Sequence, residues 1–231
     1  MRKDHLKGIE IVHEDRDILV IDKPAGLLTM ASETEMERTA YHILTDYVRK
    51  GYSKSRQRIF IVHRLDRDTS GIVIFAKNSN AKHRLQDQWD ETEKKYLAVV
   101  HGHMEKESGN ITSYLAENIA HKVYSTKNRS IGKLSTTHYW VIKETPKYSL
   151  LEVDLLTGRK NQIRVHLAET GHSIVGDIKY GDKIHKECDR SQKRMALHAY
   201  SISFVHPWTG KRMLLKTRIP DYFFSLAGNF A

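Results

Sequence analysis

The sequence predicts a protein of the α+β class with a mixed, mainly antiparallel sheet. Its 231 residues, 39% of them hydrophobic and 29% charged, suffice for a sizeable core and exclude a disordered chain. Strand-like and helix-like segments alternate, but without the regular strand–helix spacing of a parallel sheet. The sequence has no internal repeat, low-complexity tract or flexible linker. We therefore expect a single domain over residues 1–231.

The first part of the chain is predicted to form a hairpin, two helices and an interior strand. Short apolar runs at 9–12 and 18–21 flank a charged turn, which is the pattern of a β-hairpin. Residues 39–48 have apolar side chains at helical spacing. The β-branched run at 72–76 follows a glycine and indicates a buried strand. A helix is expected over Asn80–Glu93, capped by its first residue.

The second part is predicted to be richer in strands. The expected strands lie at 96–100, 137–142, 150–155, 201–205 and 213–216. A helix is expected over 161–170, with Ile163, Leu167 and Thr170 facing inward. The polar segment 104–136 is only weakly periodic, so we expect an extended hairpin or a loop arm there.

The charge balance favours a polyanionic partner. The formal net charge is +10 and the isoelectric point is about 9.5. The basic residues recur in loop-like runs at 49–58, 183–194 and 211–218. No apolar stretch approaches the roughly 20 residues of a membrane helix, and the N-terminus lacks the apolar region of a secretory signal. Cys188 is the single cysteine, which excludes an internal disulfide and fits a reducing cytoplasm.

The most informative segment is His63–Gly71, with the sequence HRLDRDTSG, which leads into the predicted strand 72–76. It places a carboxylate, Asp66, between Arg64 and Arg67 on a turn. Such neighbours favour the ionised form of a carboxylate. A bare D-R-D triplet is more often a solvated surface turn, but the whole nonamer with a buried strand behind it is a far less common pattern.

This segment resembles the signature of the RluA-type family of RNA pseudouridine synthases. Four further segments resemble the other family motifs, in the expected order: Ile18–Leu27, Lys95–Val100, Leu156–Gly181 and Leu197–Pro207. The resemblance implies a curved mixed sheet with a central cleft. Because the first motif begins within about 20 residues of Met1, we expect no separate N-terminal RNA-binding module.

The resemblance also implies a chemistry. Pseudouridine formation breaks the N-glycosidic bond of a uridine, turns the base and rejoins it through carbon. Asp66 would be the catalytic carboxylate, either as nucleophile or as general base. Arg164 would keep that carboxylate ionised in a partly dry site, and Tyr96 would stack on or bond to the target base. The reaction is redox-neutral, so no cofactor and no metal are expected.

Further residues are expected to meet the RNA. Arg64 could fill the gap that the target nucleotide leaves in the stack. Arg67, Arg159 and His63 complete the expected RNA-binding set, and His63 is also suited to supporting the turn. The substrate is expected to be ribosomal or transfer RNA, bound by a monomer in the cytoplasm. One departure is visible, because Asn161 stands where relatives usually have histidine.

Two other functions remain open from the sequence. A non-catalytic RNA-binding module would keep the fold without needing Asp66, Tyr96 or Arg164, yet all three are present. A metal-dependent hydrolase or nuclease could use Asp66 and Asp68, but no further carboxylates are spaced to join them. His101-Gly102-His103 is the only closely spaced histidine pair, and it has no acidic or cysteine partner nearby in sequence.

Overall fold

A computed structural model describes residues 6, 8–31, 35, 37–52, 54–189, 192 and 194–230. The chain forms two compact units. The N unit consists of residues up to Glu93 together with Ala199–Thr217. The C unit consists of Lys94–His198 together with the segment that begins at Arg218.

In chain order, the strands are β1 (Glu10–Glu14), β2 (Ile18–Lys23), β3 (Phe60–Ile61), β4 (Ser70–Ala76), β5 (Glu93–His101), β6 (Ser108–Glu117), β7 (Val123–Thr126), β8 (Lys133–Glu144), β9 (Tyr148–Leu155), β10 (Leu197–Val205) and β11 (Arg212–Lys216). The helices are α1 (Ala40–Arg49), α2 (Ser79–Asp87), α3 (Gln162–Glu169), α4 (Lys183–Cys188) and α5 (Asp221–Ala227), with a 3₁₀ turn at Trp89–Glu91.

The N unit is built on strands in the order β1-β2-β4-β10, with β3 beside β4 and β11 beside β10. The pairs β1–β2, β2–β4, β3–β4 and β10–β11 are antiparallel. All seven residues of β4 are buried, as its continuous apolar run predicts for a central strand. One face of this sheet packs against Ala81 and Leu85 of α2, which share a buried apolar cluster with residues of β4.

The C unit has an antiparallel sheet in the order β5-β9-β8-β6-β7. Helix α3 lies against β6, β7 and β8, where Val165 packs with Leu115 and Val123. Four of the eight residues of β9 are buried, namely Ser149, Leu150, Leu151 and Val153, so this strand lies in the interior of the sheet.

The α+β class with a mainly antiparallel sheet is confirmed. The strand predictions agree with the structure to within a few residues, and the arm at 104–136 is the hairpin of β6 and β7 with the beginning of β8. Within the described part of the chain, no helix is long and apolar enough to cross a bilayer.

Two helix predictions were wrong in detail. The helix expected over Asn80–Glu93 is capped by Asn78, whose side chain accepts the amide of Ala81 at 2.8 Å, and it ends at Asp87 before the 3₁₀ turn. Thr170 is exposed, because α3 ends at Glu169 and the following residue turns away from the core.

Helices α4 and α5 were not predicted. Helix α4 lies in the basic run 183–194, which the sequence analysis treated as a loop. Two basic residues of that run, Arg190 and Lys193, lie outside the described residues.

Candidate active site

The turn that carries Asp66 is fixed by the loop that follows β2 in the N unit. The Thr29 hydroxyl donates to the carbonyl of Leu65 at 2.9 Å and accepts the amide of Leu65 at 3.2 Å. The amide of Gly26 donates to the carbonyl of Arg67 at 2.9 Å. The backbone is thus held on both sides of Asp66, whose side chain is half-buried. Such fixation positions a reacting group before its substrate arrives.

The side chain of Lys23 makes a third connection between the loop after β2 and the Asp66 turn. Its side chain is fully buried, and its ammonium donates to the carbonyls of Leu27 at 2.8 Å, Pro24 at 3.0 Å and Arg67 at 3.1 Å. Three acceptors match the three N–H groups of a charged lysine. Burial lowers the pKa of Lys23 to about 7, although the nearby carboxylates, Asp66 among them, act in the opposite direction.

The second residue of β4, behind the turn, is a glycine that no other residue can replace without strain. Gly71 has a φ of +115°, and a Cβ there would lie 2.2 Å from the carbonyl oxygen of Ala199 on β10. Only hydrogen fits in that space, so β10 can approach the first residues of β4 closely. The close approach fixes where β4 starts and, through it, where the Asp66 turn ends.

The other turn residues differ in exposure. Arg64 is exposed and its Nη1 lies 3.6 Å from the sulfur of Met30, and the Arg67 side chain is also exposed. His63 points inward, where its Nε2 accepts the amide of Ile74 at 3.0 Å and its ring lies 4.5 Å from that of Trp89. These contacts suit His63 to supporting the turn. The side chains of Arg64 and Arg67, in contrast, are exposed to solvent.

A cavity of about 700 Å³ lies beside the turn. Its wall includes Arg67 from the turn, Pro24 and Leu27 from the loop after β2, and Arg38 and Ile43 from the region of α1. Two arginines at the wall of a cavity of this size offer contacts to a phosphate or to a base edge.

In the C unit, Tyr96 and Arg159 occupy contrasting positions. Tyr96 lies on β5 opposite Val153 of β9 and is 8% exposed, so the sheet fixes its ring almost completely. Arg159 is exposed, in the turn that precedes α3. That turn is ordered by Gln162, whose Oε1 accepts the amide of Arg159 at 3.1 Å and the hydroxyl of Thr157 at 2.8 Å.

Arg164 forms a buried two-point ion pair that the sequence analysis missed. Its Nε and Nη2 donate to the two carboxylate oxygens of Asp177, at 2.7 and 2.8 Å. The Asp177 side chain has no exposed surface and that of Arg164 is 6% exposed. Asp177 Oδ1 also accepts the amides of Lys179 at 2.9 Å and Tyr180 at 3.0 Å. The carboxylate is therefore fixed by its own loop, and the fork fixes the plane of the guanidinium.

Tyr180 extends this network to Asn161. The ring of Tyr180 lies 5.2 Å from the Arg164 guanidinium carbon, within the range of a cation–π contact. Its hydroxyl donates to Asn161 Oδ1 at 3.0 Å and accepts the amide of Val123 at 3.1 Å. Asn161 itself has a left-handed backbone, with φ 53° and ψ 18°, at the start of α3.

The two histidines of the 101–103 segment have separate partners. His101 is buried, 3.0 Å from an oxygen of Asp189, with its ring stacked at 4.0 Å on that of His185. His103 Nε2 lies 2.7 Å from the carbonyl oxygen of Thr145. Among the described residues there is no group of three histidine, cysteine, aspartate or glutamate side chains arranged to hold a metal ion.

Lys23, Thr29 and Asp177 are the supporting residues that sequence reasoning did not identify. Lys23 and Asp177 lie inside segments that match family motifs, which was a usable signal for a role near the site. Thr29 lies after the first motif, and nothing in the sequence marks its pairing with Leu65, 36 residues later.

Comparison with known proteins shows which class of protein this chain resembles. A family model described as RNA pseudouridylate synthase matches residues 17–169. An RNA pseudouridine synthase of Aquifex aeolicus, described as uncharacterized, is 36% identical over 94% of this chain and 72% of its own length. The structure of a human protein, RNA Pseudouridylate Synthase Domain Containing 1, superimposes with a TM-score of 0.77 and 26% identity, covering 98% of this chain and 89% of the human chain.

Two relatives have names that give their substrates. The tRNA pseudouridine synthase C of Vibrio parahaemolyticus is 32% identical over 92% of this chain and 91% of its own length. The ribosomal large subunit pseudouridine synthase D of Zymomonas mobilis is 34% identical over 92% of this chain and 70% of its own length. The fold and these matches define an RNA-modifying isomerase. The chain belongs to the RluA-type family of RNA pseudouridine synthases.

Proposed function

We propose that this chain isomerises a uridine of ribosomal or transfer RNA and that residues 1–231 act as one catalytic domain. The relatives named for transfer RNA and for ribosomal RNA support both substrate classes. The observation that carries the proposal is the fixed turn around Asp66, with Thr29 bonded to Leu65 on one side and Gly26 and Lys23 bonded to Arg67 on the other.

Asp66 is the proposed catalytic carboxylate. In the reaction the bond between N1 of the base and C1′ of the sugar breaks, and a bond between C5 and C1′ forms. The C5 proton is lost and N1 regains one, so atoms and electrons balance without an oxidant or a reductant. An ionised Asp66 serves as nucleophile toward the sugar or base, or as general base toward the sugar. Either role needs a carboxylate fixed in place, which the turn provides.

Arg164 and Tyr96 are proposed to act in the same reaction. A guanidinium stays charged in a dry environment, so Arg164 is suited to keeping the reacting carboxylate ionised. Asp177 fixes the direction of that charge through two hydrogen bonds. Tyr96, held in β5, offers a rigid ring or hydroxyl to the target base, and its burial prevents it from following the base as it turns.

The exposed cations are proposed to bind the RNA. Arg64 and Arg67 flank Asp66 on the same turn, and Arg159 lies on an ordered turn of the C unit. Extruding a nucleotide costs a few kcal/mol, and a guanidinium stacked among the bases can recover part of that cost. For His63 we propose a supporting role, because its nitrogen and ring are engaged with Ile74 and Trp89.

The test replaces Asp66 with asparagine, which removes the charge with little change in volume. Turnover is measured as tritium released from RNA labelled at C5 of uridine, and the modified position is located by carbodiimide treatment and primer extension. We expect Asp66→Asn to lose turnover while RNA affinity stays within a few-fold of the wild type. Retained turnover would falsify the catalytic assignment.

Asp68→Asn is the matched variant, because it removes a second half-buried carboxylate two residues along the same turn. The isomerase proposal predicts that this variant keeps at least a tenth of wild-type turnover and that EDTA has little effect. A metal-dependent hydrolase would need both carboxylates, so loss of activity in both variants and on chelation would favour that alternative.

We also propose that the protein works as a monomer in the cytoplasm. The single cysteine, Cys188, is exposed and supports a reducing compartment. Sedimentation of the protein with and without RNA tests the monomer, and a concentration-dependent rise in mass would overturn it.

A further inference from the structure

Three turns of the N unit line an open cavity of about 480 Å³ that the proposed reaction does not use. It lies at the end of β4 opposite to the Asp66 turn. Because β4 has seven residues, the two ends are separated by about 20 Å. The cavity wall includes Arg16 and Asp17 from the β1–β2 turn, Arg84 from α2, and Trp208 from the β10–β11 turn, with Lys77 between β4 and α2.

Trp208 is the most unusual residue of this wall, because its side chain is 70% exposed. An indole of this size is usually buried at least in part, and its N–H usually has a partner. Within the described residues, neither the Trp208 indole nor the Arg16 guanidinium has a hydrogen-bonding or ion-pairing partner. An exposed aromatic ring and an unpaired cation on the wall of one cavity are the groups that bind a nucleotide in single-stranded nucleic acid.

The turn that presents Trp208 is rigidly built. His206 is 6% exposed, and its Nδ1 accepts the amides of Trp208 at 3.2 Å and Thr209 at 3.1 Å. Since Nδ1 accepts, the ring proton lies on Nε2, which donates to Asp15 at 2.9 Å. Asp15 belongs to the turn that carries Arg16, so this bond fixes the two turns together. The backbone of Trp208 is therefore fixed, and only its side-chain torsions lose entropy when a base stacks on the ring.

A second attachment fixes the same turn to α2. Arg84 Nη1 donates to the carbonyl of Pro207 at 2.8 Å. On the opposite side of the cavity, Asp17 accepts from the Asn78 side chain at 2.8 Å, and Lys77 donates to the carbonyl of Asp15 at 2.6 Å. The wall contains three basic residues and one carboxylate. Lys77 is also paired with Glu14 at 2.9 Å, so Arg16 is the cation best placed to meet a phosphate.

We propose that this cavity, the Trp208 site, binds an unpaired nucleotide of the substrate RNA outside the target loop. The base stacks on Trp208 and the adjoining phosphate pairs with Arg16. The inference rests on the proposed function only in taking RNA as the substrate. Because the length of β4 separates this site from the Asp66 turn, the site would hold a flanking strand and favour RNA that is long enough to reach both places.

The probe is an octanucleotide of uridine, and the readout is the indole N–H signal in protein labelled with ¹⁵N-tryptophan. The chain has three tryptophans, so Trp208→Phe assigns the Trp208 signal directly. We expect the octanucleotide to shift that signal saturably. Arg16→Ala should weaken the affinity read from the Trp208 signal by at least about fivefold, through loss of the phosphate contact.

Direct binding measurements separate stacking from charge. We expect Trp208→Ala to lower the affinity of this site about 5- to 100-fold, while Trp208→Phe keeps most of it. Tyr52→Ala is the matched control, because Tyr52 is another exposed aromatic residue of the N unit, at 63% exposure, and should have less than a twofold effect. A phosphate polymer without bases should not reproduce the shift.

The outcomes distinguish this proposal from the proposed function. A Trp208 signal that the octanucleotide leaves unmoved overturns the site. An equal response to the phosphate polymer overturns the stacking. If the signal responds but no pseudouridine forms on any RNA, the proposed reaction fails while the Trp208 site stands.

Discussion

Asp177→Asn tests whether the buried carboxylate orients Arg164 for catalysis. The exchange keeps the size of the side chain and leaves one oxygen for the amides of Lys179 and Tyr180. It places an NH₂ group against the Nε–H of Arg164, where two donors meet, and it removes the counter-charge of a guanidinium that is 6% exposed. Breaking one partner of a buried ion pair costs about 3–5 kcal/mol of stability.

The catalytic effect should exceed what the loss of stability explains. A domain of this kind has about 5–15 kcal/mol of stability in total, so most molecules should stay folded at low temperature. In those molecules the guanidinium loses its fixed direction, and a displacement of about 1 Å in a catalytic group costs about 100-fold in rate. We expect kcat to fall by about that factor while the affinity for RNA changes less than threefold.

The measurements are urea unfolding and single-turnover isomerisation with saturating enzyme, which reports on the folded molecules. Asp221→Asn is the matched control, because Asp221 also pairs with an arginine, Arg218, at 2.7 Å, but both side chains are about 80% exposed. That exchange should cost less than about 1 kcal/mol and leave the rate unchanged. A folded Asp177→Asn protein with wild-type kcat would refute the orienting role.

The remaining predictions concern the same supports. Arg164→Lys should lose most turnover although the charge is kept, because lysine cannot form the fork to Asp177, and near wild-type kinetics would return Arg164 to a structural role. Gly71→Ala should destabilise the fold by about 2–6 kcal/mol, through strain at positive φ and collision with Ala199, and an unchanged melting temperature would contradict this. For Lys23, burial lowers the pKa to about 7, so between that pH and 10.5 the unfolded state binds more protons than the folded one. The stability of the wild type relative to Lys23→Met should therefore rise with pH, by at most about 1.4 kcal/mol per unit, and urea titrations showing a flat or falling difference would disprove it.

The sequence predicted those parts of the fold that depend on local pattern. The continuous apolar run at 72–76 predicted a buried strand, and it lies within β4. The helix after it was less well predicted, because Asn78 and Asn80 are equally good caps in isolation. The choice of Asn78 follows from a tertiary contact, in which its amide group also donates to Asp17 on the β1–β2 turn.

The supports of the candidate site were beyond the sequence for a related reason. Thr29 and Leu65 are 36 residues apart, and Arg164 and Asp177 are 13 residues apart, so no periodicity links either pair. With 28 acidic residues in the chain, charge alone cannot assign a partner to one arginine. The family motifs indicated Asp66, Tyr96 and Arg164 and also contain Lys23 and Asp177, but the contacts that these two supports make became visible only through distances and burial.

Asn161 occupies the position at which the sequence analysis expected a histidine, and its structural surroundings show why asparagine is suitable there. The backbone at this position is left-handed, and among residues other than glycine, asparagine, aspartate and histidine adopt that conformation most readily. The position also needs an acceptor for the hydroxyl of Tyr180, which asparagine supplies through Oδ1 and histidine could supply through a ring nitrogen. Both residues therefore meet the same two demands. Because the amide of Tyr180 bonds to Asp177 independently of Asn161, the exchange leaves the support of Arg164 intact.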